Sequence, residues 1–170
     1  MPPLQKKVCL VGAFAVGKTS LVRRFVESIF DERYQTTLGV KIDKKVMEVD
    51  GRPLTMVLWD MAGEDDLTQL RPSHLRGAAG FILVADGCRG RTLQTAMELE
   101  RRIRAETEPA PFVLALNKSD LAAEWEISDA AIEPLVRNGW TSMRTSAKDG
   151  SGVEDLFLSL ARKMLEQQDD

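Results

Sequence analysis

The stretch Gly12-Ala13-Phe14-Ala15-Val16-Gly17-Lys18-Thr19 matches the pattern G-x-x-x-x-G-K-[ST], and its surroundings fit the match. A largely apolar run at 4–11 precedes it, with the length and character of a buried strand. A stretch at 18–28 follows, with Leu21, Val22 and Phe25 at helical spacing. A strand-to-helix turn of this composition can wrap an anion, because glycines let backbone N–H groups close around a phosphate and the helix N-terminus adds its positive dipole. Lys18 then reaches the β and γ phosphates of a nucleotide, and the Thr19 hydroxyl can ligate Mg²⁺. Ala15, Val16, Gly17 and Ser20 belong to the same cradle. A chance match in a chain of this length is roughly one in a hundred at ordinary residue frequencies, so context decides, and the context is that of an α/β fold.

The rest of the chain extends that reading. The runs at 42–49 and 53–59 are β-rich and separated by Asp50-Gly51, the strongest short hairpin signal, so one strand pair is antiparallel. The runs at 80–85 and 112–116 are strand-like, and 92–105 between them carries Leu93, Met97 and Ile103 on the inward face of a helix. Ser128 can cap a helix reaching Asn138, which Pro134 should kink or shorten. A short strand at 140–144 leads to a closing helix with a stripe of Val153, Leu156, Phe157, Leu160, Ala161, Met164 and Leu165. Strands and helices alternate, so the expectation is an α/β fold: a six-stranded, mostly parallel sheet with one antiparallel strand, flanked by about five helices, as a single domain over 1–170.

Composition bounds the partners. The chain has 170 residues, with 23 Lys plus Arg against 26 Asp plus Glu and a net charge of -3, which provides no basic field for gripping nucleic acid. Cys9 lies in an apolar run and Cys88 just after one, as expected of reduced thiols that act as small hydrophobes. No apolar run approaches the ~18 residues of a membrane span. Pro2 stands where myristoylation demands glycine, and Gln167-Gln168-Asp169-Asp170 has no cysteine to prenylate. A cytoplasmic protein without a direct membrane anchor is expected.

Three further segments follow the ends of anticipated strands, where open α/β sheets bind ligands. Asp60, in Trp59-Asp60-Met61-Ala62-Gly63-Glu64, is suited to holding Mg²⁺ through a water, and the Gly63 N–H can meet a γ-phosphate. In Asn117-Lys118-Ser119-Asp120, the Asp120 carboxylate can accept from both N1–H and the exocyclic amine of guanine, a donor pair that adenine does not present on that edge. Leaving such an acceptor unpaired discriminates against ATP by ~10⁴ or more. In Thr145-Ser146-Ala147-Lys148, the Ala147 N–H can meet guanine O6.

With these motifs in this order, the sequence resembles the Ras superfamily of small GTPases over essentially its whole length, and most closely the Rab-like branch. Tyr34-Gln35-Thr36-Thr37-Leu38-Gly39-Val40 looks like the first switch of Rab proteins, and Arg76-Gly77-Ala78-Ala79-Gly80 looks like their entry to the fourth strand. The resemblance implies a Ras-like P-loop fold that binds GTP and GDP with Mg²⁺ and signals through nucleotide-dependent switch loops. By position, Thr37 would bind Mg²⁺ with Thr19 and Asp60, Phe30 would pack edge-on against guanine, and Lys118 would lie along base and ribose. Effector, exchange-factor and activating proteins are implied as partners. Trp59 lies opposite Leu54, Met56 and Leu58 in the strand alternation, and in Rab-like proteins the matching Trp belongs to a partner-binding patch. The other two patch positions are Ile42 and His74, where Rab proteins usually carry aromatics.

Two departures fall at the hydrolytic centre. Glu64 stands where the family usually has a Gln that orients the attacking water, and it lacks that residue's amide donor. Phe14 occupies a position that is Gly in Ras and commonly Ser in Rab proteins, where bulk crowds the second switch and an incoming arginine finger. With Lys18, Gly63 and Glu64 as the hydrolytic residues, one reading is a switch with slow intrinsic hydrolysis. The other is a hydrolysis-impaired module that stays loaded with GTP. Arg33 and Arg71 are the candidates for an internal substitute finger. A metabolic P-loop kinase is disfavoured by the base-selecting Asp120 and Ala147, and a nucleotide-free scaffold by Lys18, Thr19, Thr37 and Asp60.

Overall fold

Alternation along the first strand sets up the layers. In β1 (Leu4–Gly12), Val8 and Leu10 point to one face of the sheet, while Cys9 and Val11 point to the other, and all four are buried. The structure is a computed structural model that describes residues 4–27, 36–37, 40–61 and 72–169, with the backbone alone at 27, 36, 37, 168 and 169.

The chain runs from β1 through α1 (Lys18–Glu27), β2 (Thr36–Thr37), β3 (Val40–Val49), β4 (Arg52–Asp60), α2 (Pro72–Leu75), β5 (Gly80–Asp86) and α3 (Arg91–Glu106). It continues through β6 (Phe112–Asn117), α4 (Asp129–Arg137), β7 (Ser142–Arg144) and α5 (Val153–Asp169). The strand order is β2-β3-β4-β1-β5-β6-β7. The pairs β1–β4, β1–β5, β5–β6 and β6–β7 are parallel, and β3 is the antiparallel strand. The six expected strands are present, and Thr36–Thr37 adds a two-residue extension on the free edge of β3. Two residues carry no hydrophobic period, so this extension has no sequence signal of its own.

The β3–β4 hairpin follows from its turn. Asp50 (φ 50°) and Gly51 (φ 83°) are both left-handed, as a two-residue type I′ turn requires, and the register Val49↔Arg52 to Lys41↔Asp60 runs without a slip. That register puts Asp60 at the end of β4 level with the end of β1, where Leu10 is its partner.

Helices cover both faces. The α1 residues Leu21, Val22 and Phe25 and the whole expected α5 stripe are buried against Val8, Leu10, Leu58, Ile82 and Val84. Phe25 and Phe157 stack with ring centroids 3.9 Å apart. On the other face, Leu93, Ala96, Leu99 and Ile103 of α3 and Ile132 and Leu135 of α4 pack on Val11, Leu83 and Leu116. In α4 the Ser128 hydroxyl accepts from Ala131 N at 3.2 Å, the expected cap, and the helix passes through Pro134 and ends at Arg137, a length of 9 residues. Both thiols are free, and burial pushes that of Cys9 up to about 12. Among the described residues no helix is long and apolar enough to cross a membrane.

The connection from β1 leads to one side of the sheet and that from β5 to the other. The crevice between the C-terminal ends of β1 and β5 is therefore the topological switch point, the place where such sheets bind ligands.

Candidate functional site

The loop from Gly12 to Thr19 occupies that crevice. Gly17 has φ 101°, and a Cβ there would run into the side-chain amide of Asn117, so only glycine fits. Ala15 is left-handed at φ 63° without being glycine. Five consecutive loop carbonyls are each held by a side chain. Lys18, itself buried, donates from Nζ to Gly12 O (3.0 Å) and Ala13 O (3.1 Å). Arg89 Nη2 donates to Phe14 O (2.7 Å), Lys118 Nζ to Ala15 O (2.9 Å) and Asn117 Nδ2 to Val16 O (2.9 Å). With the carbonyls so engaged, the loop's N–H groups are what it has to offer an anion, at the positive end of α1.

The facing side of the crevice is built from the ends of β6 and β7. Asn117 is buried and accepts from Thr145 Oγ1 at 3.1 Å. The Asp120 Oδ1 atom accepts from Ser146 Oγ at 2.7 Å, and Ser146 Oγ in turn accepts from Asp149 N at 3.1 Å. Arg24, on α1, donates from Nε to Ala147 O at 2.8 Å and from Nη2 to Lys148 O. Since carbonyl and N–H directions are set by planar peptides, this grip fixes the loop that carries the Ala147 N–H. A cavity of about 440 Å³ lies between the two sides, bordered by Gly17, Ser20, Asn117, Lys118, Asp120 and Ala147. Its size falls in the range of cofactor sites.

At the end of β4, Asp60 is fully buried, and its Oδ2 accepts from Thr19 Oγ1 at 2.5 Å. Burial pushes the Asp60 carboxyl above its ordinary value, against the opposing pull of the Thr19 hydroxyl, Lys18 and Lys41. Its Oδ1 is buried without a hydrogen-bond partner among the described residues. An orphaned carboxylate oxygen beside a hydroxyl is a hard-oxygen donor set that fits Mg²⁺, an ion usually held by one or two carboxylates plus phosphates and waters. Thr37 pairs with Val40 in the β2–β3 ladder, and its side chain lies outside the described residues. Phe30, Arg33, Tyr34, Gly63, Glu64 and Arg71 also lie outside them.

The three positions of the surface patch come together. Ile42 is 43% exposed and directly opposite Trp59 in the β3–β4 register, and the Trp59 and His74 rings are 6.4 Å apart. Lys7 Nζ sits 3.6 Å from the Trp59 ring centroid, a cation–π contact that steadies a half-buried indole. Phe14 is 54% exposed at the crest of the loop.

Sequence reasoning missed Asp86, Arg89 and Arg24. Asp86 is buried at the end of β5, with Oδ2 bound to Lys118 Nζ (2.9 Å) and Arg89 Nε (3.0 Å) and Oδ1 accepting from Cys88 N (2.9 Å). Burial alone would raise its carboxyl, but the Cys88 N–H, Lys118 and Arg89 outweigh it and hold it below the ordinary value. A carboxylate closing a buried strand at the switch point was the available signal.

A model of the Ras family matches residues 7–166. Ras-related protein Rab-13 of Canis lupus familiaris is 31% identical over 161 residues, covering 94% of this chain and 79% of that protein. Rab-13 of Bos taurus is 30% identical over the same shares. A Ras and EF-hand domain-containing protein homolog of Caenorhabditis elegans is 33% identical over 167 residues, covering 96% of this chain and 26% of that protein. A family match over nearly the whole chain, joined to a G-x-x-x-x-G-K-T loop and an adjacent cavity on one edge of a doubly wound sheet, makes this chain a member of the Ras family of GTP-binding small GTPases, similar to its Rab branch.

Proposed function

We propose that the chain acts as a single G domain, a cytoplasmic GTP/GDP switch that hydrolyses GTP slowly and presents different switch-loop surfaces in its two nucleotide states. The observation that carries this reading is the joining of the two halves of the site: Asn117 and Lys118, which border the base-side cavity, also hold the Val16 and Ala15 carbonyls of the phosphate loop. Base recognition and phosphate binding are thereby set at a fixed separation.

In this reading Asp120 accepts from the guanine edge, Ala147 donates to O6, and Ser146 and Lys148 shape the same loop. Phe30 and Tyr34 flank the nucleotide. Lys18 and the N–H groups of Ala15, Val16, Gly17, Lys18, Thr19 and Ser20 hold the phosphates, and Gly63 meets the γ-phosphate. Thr19, Asp60 and Thr37 would hold Mg²⁺, which when bound supplies charge neutralisation between the phosphates. Glu64 positions the attacking water as an acceptor only, without an amide to donate to the transferring phosphoryl group, and its charge opposes a phosphate already negative. Loss of the γ-phosphate frees Thr37 and Gly63 and so alters the surface near Ile42, Trp59 and His74, the surface proposed for effectors.

One observation favours the second reading, a persistently GTP-loaded module. The Phe14 ring stands exposed on the loop crest while its carbonyl is already taken by Arg89, so an external arginine finger meets both bulk and a like charge there. Single-turnover hydrolysis of GTP-loaded protein, set beside Glu64→Gln, Phe14→Gly and the double variant, separates the two. Slow turnover that rises in the double variant supports the switch. Hydrolysis in the double variant equal to the parent's shows that neither departure governs the rate.

A further inference from the structure

The loop between β5 and α3 is more firmly built than a connection needs. Asp86 O accepts from Arg89 N (2.9 Å), and Thr92 Oγ1 bonds to both Asp86 N (2.8 Å) and Asp86 O (3.1 Å). Gly87 N donates to Asn117 O (2.9 Å), and Gly87 O accepts from Glu126 N (2.7 Å) and Ile127 N (3.1 Å). Gly90 N donates to Glu126 Oε1 at 2.9 Å. The Trp125 ring fills the space a Cβ on Gly87 would need. All of this holds one side chain, that of Arg89, in a fork: Nε on Asp86 Oδ2 at 3.0 Å and Nη2 on Phe14 O at 2.7 Å.

We infer that Arg89 is a positioning residue for phosphate binding, which fixes the peptide between Phe14 and Ala15 so that the Ala15 N–H is presented to the phosphates of a bound nucleotide. In a trans peptide the carbonyl and the following N–H point in opposite directions, and the described backbone contains no cis bond. A carbonyl held by Arg89 therefore sends the Ala15 N–H to the opposite side. Ala15 needs such a tie because a Cβ-bearing residue resists the left-handed φ of 63°. Of the groups that hold the loop carbonyls, Lys18, Asn117 and Lys118 belong to the recognised motifs, whereas Arg89 does not. Lysine is a poor substitute, since one ammonium cannot reproduce a planar fork spanning Asp86 and a carbonyl.

This inference rests on the guanine-nucleotide reading, and the test keeps the two apart. Affinities for GDP and GMP are measured on the full chain with Mg²⁺ by competition against a fluorescent GDP, beside thermal midpoints, for the parent, Arg89→Ala and Arg89→Gln. GMP keeps the base and one phosphate, so a residue that acts on the cradle for the outer phosphates changes the GDP/GMP affinity ratio, and a merely structural residue lowers both together. The expected result is a loss of about tenfold in GDP affinity, on the scale of one charge-assisted hydrogen bond, with GMP affinity within about twofold of the parent. Equal losses for GDP and GMP, an unchanged ratio, or failure of both variants to fold overturns the inference. A parent that binds neither nucleotide overturns the guanine-nucleotide reading itself.

Discussion

Asn117 donates from Nδ2 to the carbonyl of Val16 at 2.9 Å, across 101 residues of sequence, and closes against Gly17 so tightly that no Cβ fits between them. Its Oδ1 accepts from Thr145 Oγ1, so this one buried amide joins the phosphate loop, β6 and the loop after β7. Asn117→Ala removes the partners of Val16 O and Thr145 Oγ1 and should cost about 2 kcal/mol in urea unfolding. Gly17→Ala suffers both the collision and the positive φ of 101°. Because Asn117→Ala removes the collision but leaves the φ, the Gly17→Ala penalty should be smaller in that background. Strict additivity in the double-mutant cycle would show that the two side chains do not compete for space.

The Asp120–Ser146 contact predicts a change of base preference. Ser146 Oγ donates to Asp120 Oδ1, a bond that an asparagine carbonyl can also accept. In Asp120→Asn that bond would leave the amide NH₂ in place of the second carboxylate oxygen. Guanine's two donors would then meet a donor, and xanthine's C2 carbonyl would meet a suitable partner. GDP affinity should fall by about 10³ or more and xanthosine diphosphate should become the better ligand. Competition binding checks this, and continued preference for GDP in the variant would remove Asp120 from the base site.

What could be read from the sequence and what could not divide along a physical line. The Gly12–Thr19 loop, the Asp50-Gly51 hairpin and the segments around Asn117 and Ser146 are strings in which spacing fixes local geometry, so they were legible, as was the α5 stripe with its helical period. Asp86, Arg89 and Trp125 acquire their roles only when β5 lies beside β1 and the segment after β6 folds over Gly87. An arginine in a glycine-flanked loop looks the same whether it is solvated or forked between a buried carboxylate and a carbonyl. Arg24 is a similar case, because its partners at Ala147 and Lys148 are more than a hundred residues away.

Asp86 should give the protein a distinctive acid limb. Its carboxyl is held below the ordinary value of 3.8, so its contribution to stability is fully present above that pH and is lost as pH falls through the lower folded-state value. Asp86→Asn removes the charge that Lys118 and Arg89 share and should lower the unfolding free energy by about 2 kcal/mol at pH 7. The gap between parent and variant should begin to narrow below pH 3.8 and close as pH falls through the lower folded-state value, where the parent's carboxylate is also lost. Urea titrations at pH 7, 5 and 3 measure this. A gap that persists undiminished at pH 3 would assign the cost to packing instead of charge.

Metal removal should act through Asp60. The Asp60 carboxylate is buried, its Oδ1 has no hydrogen-bond partner among the described residues, and the Thr19 hydroxyl and the nearby lysines offset part of the cost of that burial. Asp60→Asn keeps the shape and an acceptor for Thr19 but removes the charge, so the metal-free variant should be no less stable than the metal-free parent. The Mg²⁺ response separates them. Chelation of Mg²⁺ from the GDP complex should lower the parent's thermal midpoint by several degrees and speed GDP release by tenfold or more, on the scale of ~1–2 kcal/mol of linked binding. In Asp60→Asn the same chelation should change either quantity far less. An equal response to chelation in parent and variant would mean that the ion's hold on this domain does not depend on Asp60, and that the orphaned oxygen at the end of β4 serves some other ligand.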